Sequence, residues 1–248
     1  MEHFNGILFI DIETVPGEPD LNLLPEGMRT EWEKKSRLLK NVSEEQKDLA
    51  ALFEDRAGIF SEFAKIVCIS FGTIYKEENN TRVMRLRSLA GDDEQKILQD
   101  LCTIIEKMST RYKDFRFCGH NIKEFDIPFI CRRMVINNVA LPQCLQLSGK
   151  KPWEINHLDT MELWKFGDNK NFTSLSLLAQ VLGIPSPKED IDGSQVGRVY
   201  WQEKDIARIS TYCMRDVFTT AKVFLRLKGA TDMALVAEYT DGYSLDAL

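Results

Sequence analysis

The chain has 248 residues, a formal net charge of −6 and a 44% hydrophobic composition, enough for one well-filled α/β domain or two small ones. Glu2 and His3 stand where a secretory leader carries lysines and no apolar run is long enough to span a bilayer, so a soluble, cytoplasmic protein with no membrane partner is expected. Six cysteines stand singly, mostly in apolar runs and without a C-x-x-C pair, a usage that fits reduced core thiols and argues against a disulfide framework or a zinc cluster.

The acidic balance also argues against a polyanionic partner, because nucleic-acid binders usually carry a basic stripe. That argument is not decisive, since acids that hold divalent metal reverse their own local field.

In chain order, Gly6 to Val15 (G-I-L-F-I-D-I-E-T-V) reads as a strand buried on both faces, in the middle of a sheet. Its acids, Asp11 and Glu13, are two residues apart and point to one face, roughly 7 Å apart along the strand. Buried together and unpaired they repel each other, a conflict that a divalent cation removes. The plain alternative is a polar strand end, and Asp92 to Glu94 repeats the D-x-E spacing at a helix start.

Pro16 to Phe63 has no strand signal. A helix is expected from Met28 to Lys40, and Ser43-x-x-Gln46 reads as a capping box opening another through Phe53. So long an insertion is read first as an extra packing layer, and its place beside the acids also allows it to cover them.

Lys65 to Tyr75 and Thr81 to Leu89 read as antiparallel strands, Arg85 and Arg87 of the second taking a solvated face. Asp92 opens a helix with one buried stripe through Met108. Arg116 to Gly119 is a short strand, Ile127 to Asn137 a helix with Pro128 in its first turn, and Leu158-Asp159-Thr160 a strand end. Thr173 or Ser174 caps a helix ending at Gly183, a polar, flexible loop runs from Lys188 to Val199, and the longest helix runs from Glu203 to Lys228. Beyond Gly229 the pattern is silent. No repeat or linker divides the chain, so residues 1–248 are read as one domain with a helical insertion at about 16–63 and an unassigned tail at 229–248.

Two further constellations bear chemistry. Asp126 sits where a carboxylate caps helix amides, while Asn121 and Phe125 stand at and beyond the C-terminal end of a strand, where open α/β sheets bind ligands and a phenyl ring can stack on a base. On the last helix Tyr212 and Asp216 are one turn apart, on one face, with Thr211 beside them rather than a histidine.

D-I-E-T, G-H-N-x-x-x-F-D and Y-x-x-x-D, in that order, resemble the three motifs of the DEDDy 3′–5′ exonucleases, above all the proofreading exonuclease domain of family B DNA polymerases and stand-alone bacterial proteins related to it. The resemblance runs from about Ile7 to Leu227. It implies a ribonuclease H-like α/β fold: a mixed five-stranded sheet, its first three strands antiparallel, with helices on both faces. It also implies phosphodiester hydrolysis with two divalent cations, Mg²⁺ or Mn²⁺, held by Asp11, Glu13, Asp126 and Asp216, with Tyr212 orienting the attacking water. Asn121, Phe125 and the backbone at Ile12 and Thr14 would hold the terminal nucleotide, and Lys188 a phosphate.

The implied partner is a nucleic acid with a single-stranded 3′ end, DNA first and RNA as the alternative, with unidentified DNA repair or replication proteins beside it. Two rivals are weaker. A haloacid-dehalogenase-type phosphatase shares the opening strand, but Glu13 stands where its general acid Asp belongs, and a nuclease-like fold that only binds nucleic acid would lack one of the four acids.

Overall fold

The computed structural model describes residues 4, 6–39, 48–76, 81–168, 172–185, 190–230 and 234–240. Its opening strand β1 (Ile7–Pro16) is buried at nearly every position because it lies inside the sheet, with neighbours on both sides. The order is β5-β4-β1-β2-β3-β6, where β2 is Ala64–Lys76, β3 Arg82–Ala90, β4 Arg116–Gly119, β5 Leu158–Asp159 and β6 Leu235–Tyr239. β1, β2 and β3 are successively antiparallel, while β4 joins β1, β5 joins β4 and β6 joins β3 in parallel.

The sheet therefore has six strands rather than the five expected. The sixth comes from the tail, where Leu235 to Tyr239 lies along Arg82 to Leu86. The expected solvated face of β3 also fails: Glu238 of β6 pairs with Arg85, its Oε2 3.4 Å from Nε, and Arg87 is only 7% exposed.

Alternation along β1 sorts its side chains into two layers. Leu8, Ile10 and Ile12 pack with α3 (Glu94–Arg111) and α4 (Asp126–Ile136), through Leu98, Leu101, Ile105, Phe129 and Ile130. Ile7 and Phe9 pack on the opposite face against Val217, Ala221 and Phe224 of the long helix α8. The shorter α5 (Thr160–Lys165) and α6 (Leu175–Val181) precede α7 (Val196–Arg198), which runs through a π-helical turn, Val199–Glu203, toward α8 (Ile206–Leu227).

Helix ends follow their capping residues. Asp93 accepts from Lys96 N at 2.9 Å to start α3, Asp205 from Arg208 N at 3.0 Å to start α8, and Ser174 from Leu177 N at 3.3 Å to start α6. Gly183, at φ +65°, terminates α6 in the left-handed region that glycine tolerates. Of the loop expected from Lys188 to Val199, the described part from Asp190 onward is more structured than its polarity suggests: Asp190 is bound by Arg208, and Val196 and Val199 are fully buried.

In the insertion α1 (Glu26–Ser36) starts before Met28 because Pro25 serves as its N-cap, and α2 (Leu49–Arg56) starts behind Asp48. The capping box at Ser43 and Gln46 lies outside the described residues. Trp32, fully buried, meets Phe53 and Phe63 edge-on at 5.4 and 5.2 Å, giving the insertion its own small core. Its ends are tied where Gly17 N donates to Phe63 O at 2.8 Å. Among the described residues no helix is long and apolar enough to cross a membrane.

Candidate active site

The alternation that places Phe9 under α8 places Asp11 and Glu13 there too, toward the turn of α8 that carries Tyr212, Cys213 and Asp216. Glu13 is only 8% exposed. Burial, then Asp126 and Asp216, drives the Asp11 carboxyl well above the ordinary carboxylate range. Burial, then Asp11, does the same to Glu13.

Asp126 arrives from the other layer. β4 pairs with β1 only as far as Phe9, so the Ile12 amide, beyond its reach, donates instead to Asp126 Oδ1 at 3.2 Å. Phe125 is the N-cap residue and makes no side-chain cap bond, while Asp126 is the first helical residue and its carboxylate reaches across to β1. Burial lifts it to about 7, opposed by its own amide and that of Ile12.

Tyr212 completes the cluster. Its hydroxyl hydrogen-bonds Asp216, and burial followed by Asp216, Glu13 and Asp11 raises it far above a free phenol, so it is a neutral donor. Without a cation this is a costly arrangement, with several acids sharing one poorly solvated space and keeping protons they would lose in water. Oxygen atoms of Asp11 and Glu13 and the Sγ of Cys213 all lie within 4.8 Å of one another, close enough for one ion. The donor set therefore fits hard divalent metal, with oxygen predominating.

Beside the acids opens a cleft of about 600 Å³. Ile12, Glu13, Thr14 and Phe125 line it on the sheet side, Ala51, Glu54 and Gly58 of the insertion form one wall, and Gly197, Arg198 and Trp201 form the other. The insertion thus both packs on itself and flanks the acids. Thr14 anchors it through Oγ1 donating to Gly58 O at 2.7 Å, and Trp201 donates to Pro16 O at 3.0 Å.

Asn121 does not line the cleft; it sits at φ +62°, a left-handed conformation that Asn tolerates, with its Oδ1 buried and unbonded. Lys188 lies outside the described residues. His120 is structural: Nε2 donates to Thr173 O at 2.8 Å and Nδ1 pairs with the Thr160 hydroxyl at 2.9 Å. Gly119 has to be glycine, since a Cβ there would sit 2.8 Å from Ile122 Cβ and 3.0 Å from Ile10 O.

Two residues escaped the sequence reading. Asp159, 3% exposed, accepts from the amides of Asn121 at 3.0 Å, Lys123 at 3.1 Å and Met161 at 2.9 Å, so it fixes the loop leading to Asp126. Cys213, read as core, reaches Asp11. Replacing Asp159 with Ala strands buried amides and is expected to cost about 2–3 kcal/mol. The readout is a lower urea midpoint at unchanged m-value.

Comparison with known proteins bears directly on this arrangement. Residues 59–245 match the family described as predicted 3′–5′ exonucleases related to the exonuclease domain of PolB. The chain belongs to that family. That family is described as predicted exonucleases, a description that leaves the phosphatase reading without support. The matched stretch holds Asn121 to Asp126 and Tyr212 to Asp216 and starts after β1, so Asp11 and Glu13 join the site by geometry alone.

Among solved structures, the family B DNA polymerase from the hyperthermophilic archaeon Pyrobaculum calidifontis superposes with a TM-score of 0.53 at 12% identity, over 90% of this chain and 24% of that one. At that identity the likeness is one of fold, ribonuclease H-like with helices on both faces of the sheet. The chain spans about a quarter of the polymerase. No curated protein matches.

Proposed function

We propose that this chain is a DEDDy-type 3′–5′ exonuclease that removes nucleotides from single-stranded DNA ends by two-metal-ion hydrolysis. The observation that supports the reading is that Asp126, from the start of α4, and Asp216, from α8, act electrostatically on Asp11 of β1, that Asp216, Glu13 and Asp11 act on Tyr212, and that Glu13 lines the cleft.

Two Mg²⁺ or Mn²⁺ ions, when bound, supply Lewis-acid stabilisation of the attacking and leaving oxygens. Asp11, Glu13, Asp126 and Asp216 would hold the ions, Asp11 contributing to both positions, Glu13 and Asp216 to the one on the water side and Asp126 to the other. Tyr212, kept neutral, orients the attacking water by hydrogen bonding and is no base. Phe125, facing the cleft, offers a ring for stacking on the terminal base, with the backbone at Ile12 and Thr14 beneath it. Asn121 supports that loop.

The test is incubation with 5′-end-labelled single-stranded DNA, and in parallel RNA of the same sequence, in Mg²⁺, in Mn²⁺ and in chelator. A ladder shortening one nucleotide at a time on DNA, absent in chelator, is expected. A single internal cut, or metal-independent release, would overturn the reading. Tyr212→Phe is expected to lower kcat about 10²-fold with little change in KM, in single-turnover assays on the same oligonucleotide.

A further inference from the structure

The proposed hydrolysis uses only oxygen ligands, yet a sulfur atom sits among them. Cys213 is fully buried one turn before Val217, and its Sγ lies 3.5 Å from Asp11 Oδ2 and 3.5 Å from Asp11 O. The Cys68 thiol of β2 lies beside it.

A tetrahedral zinc-class ion, with bonds of about 2.3 Å to sulfur and about 2.0 Å to oxygen, sets those two donors about 3.5 Å apart. That is the separation found between Cys213 Sγ and Asp11 Oδ2. Glu13 supplies an independent indication: 92% buried, it accepts no hydrogen bond from any described residue, and its carboxylate faces the same point within the 4.8 Å spread of the three ligand atoms. A mostly buried acid at the edge of a cleft, with no donor among the described residues, is favoured by a cation.

We propose that Asp11, Glu13 and Cys213 form a site for a thiophilic divalent cation of the zinc class, which competes with magnesium-class ions for the same carboxylates. The proposal rests on the reading of Asp11 and Glu13 as metal ligands and adds the thiolate. On binding, the Cys213 S–H bond would break as the sulfur–metal bond forms, and its proton, with those that the Asp11 and Glu13 carboxyls keep in the absence of a cation, would be released to solvent. Thiolate favours zinc over magnesium strongly, so zinc is held where magnesium exchanges. The enzyme is then zinc-sensitive through a residue that takes no part in magnesium-supported cleavage.

Cadmium is the probe, because its bond to thiolate has its own ultraviolet charge-transfer absorption. Titrating reduced, metal-free protein with Cd²⁺ is expected to develop that band with one-to-one stoichiometry. Cys213→Ser should abolish it, while Cys118→Ser, buried elsewhere, should keep it. Glu13→Gln, which retains the thiol, should weaken Cd²⁺ binding at least tenfold and guards against misfolding in the serine variant. No band in the unaltered protein, or an undiminished band in Cys213→Ser, would overturn the proposal. Nuclease assays in Mg²⁺ separate the two claims: cleavage without the band defeats the zinc-class site alone, and the band without cleavage defeats the exonuclease alone.

Discussion

Asp11→Asn should abolish cleavage and at the same time make the metal-free protein more stable. The side chain keeps its shape but loses the charge that serves both ion positions, and losing several kcal/mol of transition-state stabilisation corresponds to about 10³- to 10⁴-fold in rate. The opposite effect on stability follows from burial. Asp11 and Glu13 are lifted by poor solvation and by their acidic neighbours, so in the absence of cations the ionised cluster opposes folding.

The folded protein binds protons there that the unfolded chain has released, so metal-free stability falls as pH rises from the ordinary carboxylate range through the raised folded values. The gain from Asp11→Asn is accordingly larger at pH 8 than at pH 5, because the raised folded carboxyl keeps more of its proton at the lower pH. Relief of about 1 kcal/mol corresponds to roughly 2–4 °C in Tm for a chain of this size. Calorimetry in chelator at both pH values, beside the cleavage assay, reads out both halves. A variant that lost activity and stability together would point to a structural role for Asp11.

The second large effect lies outside the cleft. Glu94, 7% exposed at the start of α3, accepts from Ile66 N at 2.7 Å, from Asn137 Nδ2 at 2.8 Å and from Arg133 through Nε at 2.8 Å and Nη2 at 2.5 Å; Arg133 also donates to Ser61 O at 2.8 Å. This cluster joins α3, α4 and β2, and α4 is the helix whose first residue is Asp126. Arg133→Met removes the guanidinium and leaves a buried carboxylate short of partners, for an expected loss of about 3–5 kcal/mol. Adding Glu94→Gln should restore much of it, because the stranded charge is then gone. Urea unfolding of the single and double variants measures the recovery; equal losses in both would mean that packing by the arginine stem, rather than the pair, carries the stability.

Much of this architecture is written in local sequence. β4 and β5 fall where apolar spacing places them, and α3, α6 and α8 begin at acids or serines that cap them, since period and capping are local signals. β6 escaped because Leu235 to Tyr239 is a short, half-exposed edge strand whose partner, β3, lies some 150 residues earlier; nothing nearby in sequence reports that pairing. The burial of Arg87 was hidden for a related reason, alternation giving the face but not what covers it.

At the site, the spacing of Asp11 with Glu13 and of Tyr212 with Asp216 told which side chains share a face. The role of Asp159 in the loop before Asp126 was invisible because the loop amides it binds there lie nearly 40 residues away, and Cys213 because a thiol in an apolar stripe looks like any other core residue. The wall that the insertion lends to the cleft was legible only as the second reading of its place beside the acids, because its own core satisfies its apolar residues.

The central claim is that acids from three separated segments jointly hold two ions. Anomalous diffraction from crystals soaked in Mn²⁺ and a nucleoside monophosphate tests it most directly. The expected result is two manganese peaks about 3.5–4 Å apart, bounded by Asp11, Glu13, Asp126 and Asp216. Manganese bound elsewhere, with these four carboxylates left unliganded at saturating concentration, would contradict it.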